Sequence, residues 1–158
     1  MRISSKLHCG IKTMIELAVN GGEYGLKQKD IAIKQSMSVK FLDHIISALK
    51  TAGLIYRVSG RNNGFKLTMN PSKVTIYHVY RAFEPEININ LCLMDESLCP
   101  NSHSCGARCF LNQFNMEMKK YMQSHTIQDL IDYEAELTEE NKEKLDLLKD
   151  CSEIKPRK

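Results

Sequence analysis

No stretch of this 158-residue chain approaches the run of about 18 apolar residues that a membrane helix needs. The opening Met-Arg-Ile-Ser-Ser-Lys lacks the apolar centre of a secretory signal, so the expectation is a cytoplasmic protein. There is no glycine-rich phosphate loop, no pair of catalytic carboxylates and no Cys-x2-Cys-x2-Cys run of the ferredoxin type. Those absences argue against an enzyme and leave a small iron–sulfur electron carrier as a remote alternative. The paired Cys-x2-Cys knuckles of zinc sites are missing too.

What the chain does have is cysteine in an unusual place. Of its six cysteines, four fall between Cys92 and Cys109, spaced Cys-x6-Cys-x5-Cys-x3-Cys. Without an export signal, and with eight methionines alongside, free thiols or ligands fit better than a disulfide framework. Soft sulfur donors gathered this closely select zinc, copper(I) or an iron–sulfur cluster. A length of 158 residues with 42% hydrophobic content suits one compact domain and an appendage.

Charge is distributed unevenly. Residues 1–70 carry 11 Lys and Arg against 4 Asp and Glu, whereas residues 134–158 carry 8 acidic against 6 basic, so the basic surplus lies in the N-terminal half. That half has a helical pattern. Leu7, Ile11, Met14, Ile15 and Ala18 recur at helical spacing behind Ser4 or Ser5, predicting a helix over about 5–20. Glycines 21, 22 and 25 end it, and a short helix near 27–35 follows. Beyond Ser36-Met37-Ser38, the residues Phe41, Leu42, Ile45, Ile46 and Leu49 form a third amphipathic helix that Gly53 closes.

The period then changes to that of strands, at Leu54 to Val58 and Phe65 to Met69, around a turn rich in Gly and Asn. Helix, turn, helix and hairpin together predict a mainly α fold with a small β-hairpin wing, the winged helix-turn-helix of DNA-binding proteins, over residues 1–83. In such a module the third helix enters the major groove. Ser38, Lys40, Asp43 and His44 are its exposed polar positions. Lys40 suits guanine and Asp43 suits the cytosine N4 amine, while Lys27, Gln28 and Arg57 would hold phosphates. At the wing tip Arg61, with Asn62 and Asn63, could enter a minor groove.

Residues 74–83 predict one more short helix, ended by Pro85. From Glu86 to Ser104 there is no clear period, and the cysteine-rich loop assigned to 84–109 is long for a small domain, which is the mark of a functional loop. Over 110–133, Leu111, Phe114, Met118, Tyr121 and His125 form a stripe at intervals of three and four. It has no evident mate in one chain, so it predicts a homodimer, with two recognition helices ~34 Å apart on a palindromic site. Thr126 to Leu130 reads as a short capped helix, and 134–158 as a charged helix with a frayed tail.

The order Ile31-Ala32, Ser38-x-x-Phe41-Leu42, Leu49-x-x-Ala52-Gly53-Leu54, Gly60-x-x-x-Gly64-Phe65-x-Leu67, three cysteines and a long helix resembles the bacterial winged-helix iron–sulfur regulators of the IscR and NsrR type, over roughly residues 1–133. The resemblance implies a dimeric transcription regulator, a repressor in the first instance, that senses redox, nitric oxide or iron–sulfur status. It implies a cluster of the 2Fe–2S or 4Fe–4S kind held by Cys92, Cys99 and Cys105. For the fourth ligand the chain offers His8, Cys9, His103 and Cys109. Where IscR-like members place a histidine this chain has Arg108, and His8 matches the N-terminal ligand that NsrR-like members draw from the partner subunit. The first inter-cysteine gap is six residues rather than the usual five, and the wing reads Gly-Arg-Asn-Asn-Gly-Phe rather than Gly-Gly-Tyr or Gly-Gly-Phe. A winged-helix regulator with a zinc or thiol-disulfide switch in place of a cluster is the alternative reading.

Overall fold

The Ser4 side chain accepts a hydrogen bond from the Leu7 N–H and so starts the first helix, α1 (Ser5–Asn20). The computed structural model describes residues 4–60, 64–87 and 89–140. The wing-tip residues Arg61, Asn62 and Asn63 and the C-terminal tail from 141 onward lie outside the described residues. After α1 come α2 (Gln28–Lys34) and α3 (Val39–Thr51), the latter capped by the Ser38 hydroxyl, which accepts from the Phe41 N–H. Between them Ser36 adopts a left-handed conformation with φ 51°, and the chain turns within four residues. Gly53, at φ 71°, ends the reach of α3 as the sequence predicts.

The hairpin is shorter than its sequence pattern. β1 (Ile55–Arg57) and β2 (Phe65–Leu67) pair antiparallel, Tyr56 opposite Lys66. A single residue extends the sheet on the other side of β2. Leu26 and Phe65 exchange both backbone hydrogen bonds, at 3.0 and 2.9 Å, and the Gly64 N–H donates to the Tyr24 carbonyl at 2.9 Å. The segment before α2 thus anchors the base of the hairpin.

The helix expected over 74–83 is the shorter α4 (Ile76–Arg81), and a 3-10 turn at Pro71–Lys73 precedes it. Thr75 and His78 form a reciprocal capping box that fixes its first turn. Further on lie α5 (Gly106–Ser124) and α6 (Ile127–Glu140). The short helix expected at Thr126 to Leu130 is in fact 14 residues long and takes in the start of the charged segment. Thr126 and Asp129 cap it reciprocally, with Thr126 N–H to Asp129 Oδ2 at 2.7 Å and Asp129 N–H to Thr126 Oγ1 at 3.2 Å. The two capping threonines face each other in a bridge: the Ile76 N–H donates to the His125 carbonyl and the Ile127 N–H to the Val74 carbonyl.

One core joins α1, α2, α3, the hairpin, α4 and the start of α6. Leu7 and Met14 of α1, Ile31 of α2, Leu42, Ile45 and Leu49 of α3, Ile55, Val74, Val79 and Ile127 are fully buried. Each such side chain contributes about 1.5–3 kcal/mol of transfer free energy. Ile127 places the start of α6 in the same core as α2 and α3, and α6 lies along α1.

A polar knot fixes α1 against α2. Glu16, nearly buried, accepts from Lys34 Nζ at 2.7 Å, Gln35 Nε2 at 3.1 Å and Asn20 Nδ2 at 2.8 Å. Glu16→Ala is expected to lower stability by about 2 kcal/mol, because three donors lose a charged acceptor, while Glu16→Gln should cost less than half of that. Denaturant melts of the two variants would check the ranking.

Candidate nucleic-acid interface and cysteine loop

At the head of α3, Ser38, Lys40, Asp43 and His44 are all exposed, as are Lys27 and Lys29 at the start of α2 and Arg57 on β1. The surface they share is the one the helix-turn-helix leaves uncovered by the core. Gln28 is the exception to its expected part. Its side-chain amide donates to the Val39 carbonyl at 3.3 Å and to Asp43 Oδ1, so it is engaged within the protein rather than held out toward a phosphate. Sequence spacing gave no signal for this pair, which is 15 residues apart.

The segment expected to be aperiodic contains three 3-10 turns, Leu91–Leu93, Glu96–Leu98 and Ser102–Ser104. Short polar side chains set them. Asn90 Oδ1 accepts from the Cys92 N–H at 3.4 Å, and Asp95 Oδ1 accepts from the Ser97 N–H at 2.9 Å. The Ser97 hydrogen bonds hold the Asp95 carboxyl below its ordinary range. Cys92, Cys99 and Cys105 are each half-buried, and each sits within or directly beside one of these turns.

α5 begins at Gly106, four residues before the helical region expected from 110, so Arg108 and Cys109 belong to its first turn. Cys105 is its N-cap, and its sulfur accepts from the Arg108 N–H at 3.4 Å. The Arg108 guanidinium Nε donates to the Cys92 carbonyl at 3.1 Å. One arginine therefore joins the first and third cysteines, and the turn carrying Cys92 packs on the start of α5. Among the described residues, however, no three His, Cys, Asp or Glu side chains converge as they would around a metal ion.

The remaining donors are dispersed in their surroundings. His8 is exposed on α1, His103 is exposed in the third turn, and Cys109 is exposed on α5. Cys9 is half-buried and packs against the hydrophobic core, where it serves as a small apolar residue.

α5 has an unusual surface for a helix of 19 residues: none of its residues is buried. Phe110 is 65% exposed, Met116 61%, Tyr121 54% and Phe114 44%. Its tie to the body runs through α4, where Lys119 sits 5.3 Å over the Tyr77 ring. Beside it an apolar groove of about 890 Å³ opens between α1, α4 and α5, lined by Leu7, Ile11, Tyr80, Phe114, Met118 and Tyr121 among others. Burial, and after it the neighbouring Glu84, raises the Tyr80 phenol above its ordinary value, and its hydroxyl donates to the Glu86 carbonyl. No helix among the described residues is long and apolar enough to cross a membrane.

Comparison with known proteins agrees with this architecture. The profile of the Rrf2 family, described as an iron-dependent transcriptional regulator, matches residues 3–133. The chain is 31% identical over 133 residues to the HTH-type transcriptional regulator CymR of Bacillus subtilis, covering 84% of this chain and 91% of that protein. It is 26% identical over 111 residues to the HTH-type transcriptional regulator IscR of Aliivibrio salmonicida, covering 69% of this chain and 62% of the other. The solved structure of B. subtilis CymR, the global cysteine regulator of that organism, superposes with a TM-score of 0.68 at 28% identity, over 84% of this chain and 98% of its own.

Proposed function

The chain belongs to the Rrf2 family of transcriptional regulators, DNA-binding proteins rather than enzymes, and from that premise we propose that it acts as a homodimeric repressor whose cysteine loop holds an iron–sulfur cluster. The observation that supports the cluster most directly is the Arg108 tie, which holds the Cys92 backbone carbonyl and the Cys105 sulfur at the head of α5. Soft thiolate donors of this number suit iron–sulfur chemistry. The donor types fit, and closing the three short turns around a common centre is the rearrangement that loading demands.

When bound, the cluster supplies iron that reacts with oxidants or nitric oxide. The chain's own part is mechanical. With Cys92, Cys99 and Cys105 drawn together, the loop is held to α5, and α5 to α4 and the body that carries α3. His8, exposed at the start of α1, is the residue we assign as fourth ligand, reaching the loop of the partner subunit. Lys40, Asp43 and His44, with Ser38, then address bases in a palindromic operator. Lys27 and Arg57 address phosphates, and Arg61, Asn62 and Asn63 form the wing's contact.

A second reading, a thiol switch without a cluster, is favoured by one observation: among the described residues no three donors converge, and a zinc site in its place would need the same closure. Anaerobic purification separates the two. Iron and sulfide should be present, with visible absorbance, and Cys92→Ser, Cys99→Ser or Cys105→Ser should each reduce bound iron by at least the roughly 10- to 100-fold affinity loss that follows removal of even an outer partner. Cys9→Ser should leave the spectrum unchanged. A colourless protein without iron or sulfide rules out the cluster.

A further inference from the structure

The side-chain amide of Gln28 spans from α2 to α3 at the place where α3 meets DNA. One nitrogen serves two acceptors there, the Val39 carbonyl in the first turn of α3 and Oδ1 of Asp43 one turn later. Asp43 is exposed and Gln28 is half-buried, so the pair adds little to folding. Its effect on Asp43 is larger. A lone carboxylate facing phosphates is driven outward by their field, and an unrestrained aspartate would swing toward solvent. Held at Oδ1, Asp43 keeps Oδ2 without a protein partner among the described residues and pointing from a fixed root.

We infer that Gln28 is a positioning residue for base discrimination, holding the Asp43 carboxylate where, on the strand it faces, it selects a base with an exocyclic amine, cytosine or adenine, over guanine or thymine. A carboxylate only accepts hydrogen bonds. It pairs with the cytosine N4 or adenine N6 amine in the major groove and is repelled by guanine O6 and N7 and by thymine O4. The selection is therefore partly by exclusion, and exclusion requires that the charge cannot move aside. This inference rests on the reading that α3 enters the major groove of DNA.

The test uses the full-length protein and a pool of random-sequence duplexes, followed by competition binding on singly substituted versions of the selected site. Wild type should prefer an amine-bearing base at one position by about tenfold, the scale of a good base contact. Gln28→Ala should lose most of that preference at that position, while affinity for the remaining positions and the melting temperature stay as in wild type. Asp43→Ala should lose the same preference, and the double variant should be no worse than Asp43→Ala alone. Three results would overturn the inference: an unchanged preference in Gln28→Ala, additive losses in the double variant, or uniform weakening over all sequences with a shallower salt dependence, which marks a phosphate contact. If the wild-type protein retains no duplex, the DNA-reading role falls together with it.

Discussion

Gly64→Ala should unseat the hairpin and lower the melting temperature by about 10 °C, the largest effect expected from adding one methyl group to this protein. A Cβ at Gly64 would lie 2.2 Å from both the carbonyl carbon and oxygen of Leu26, distances that no rotamer relieves because the opposing atoms are backbone. Leu26 cannot retreat, since its N–H and C=O are both bonded to Phe65. Gly64 itself cannot shift, since its N–H is bonded to Tyr24 and its C=O to the Val58 N–H. Relief therefore requires the chain to give up paired hydrogen bonds and the packing of Phe65, a cost of about 3 kcal/mol or more. Gly25 completes the contact from the other side: at φ 73° it passes so close that its own Cβ would meet Gly64 and Phe65. Gly53→Ala is the comparison. There φ is 71° but no atom lies within 4 Å, so the cost is the left-handed strain alone, about 1–2 kcal/mol. Thermal melts followed by circular dichroism would order the two. A Gly64→Ala protein that melts within about a degree of wild type would show that the hairpin base is not held as described.

That contact marks the boundary of what the sequence made legible. Helices α1 and α3 were readable because their apolar residues repeat at helical spacing and because Ser4 and Gly53 occupy cap positions whose chemistry is local; the Ser38 cap came only with the structure. The third strand segment was not, because a single residue, Leu26, makes it, and one residue has no period. The extent of α6 was hidden for a different reason. The sequence reads a short capped helix from Thr126 and a separate charged helix from Glu134, and nothing in its pattern joins the two; the start is anchored by Ile127, buried beside the Val74 and His125 backbone. Of the candidate site, the exposed polar positions on α3 and the cluster of four cysteines could be named from residue type and spacing, and Cys92, Cys99 and Cys105 from the family resemblance. The Gln28 link to Asp43 and the Arg108 link between Cys92 and Cys105 could not, since each joins residues that only the folded chain brings together. In the loop, Asn90 and Asp95 were the missed local signals, each two residues before the N–H it caps.

Phe114→Glu should convert the protein to a monomer and weaken binding to a palindromic operator by at least about 100-fold, the scale on which a second linked binding site adds avidity. The physical case lies in what α5 leaves uncovered. A helix of this length is marginal in water unless tertiary contacts support it, and α5 keeps no residue buried while turning Phe110, Phe114, Met116 and Tyr121 outward. Phe114 and Tyr121 also line the groove between α1, α4 and α5, so the exposed face and the concave face are continuous. A two-fold axis would let the helix of one copy fill the groove of the other and be covered in return, which is the self-complementary arrangement that closed dimers need. A carboxylate at Phe114 would enter an apolar seam where Lys120 is outnumbered by Glu84 and Glu117, and burying it there costs several kcal/mol. Leu137→Glu supplies the control, since Leu137 is 46% exposed on α6 and lines no part of the groove; that variant should stay dimeric and bind as wild type. Sedimentation of both variants, with binding compared on a full palindrome and on a half-site, decides the matter. If Phe114→Glu sediments as a dimer, the groove is not the seat of the partner helix, and the spacing of the two recognition helices must be set by another surface.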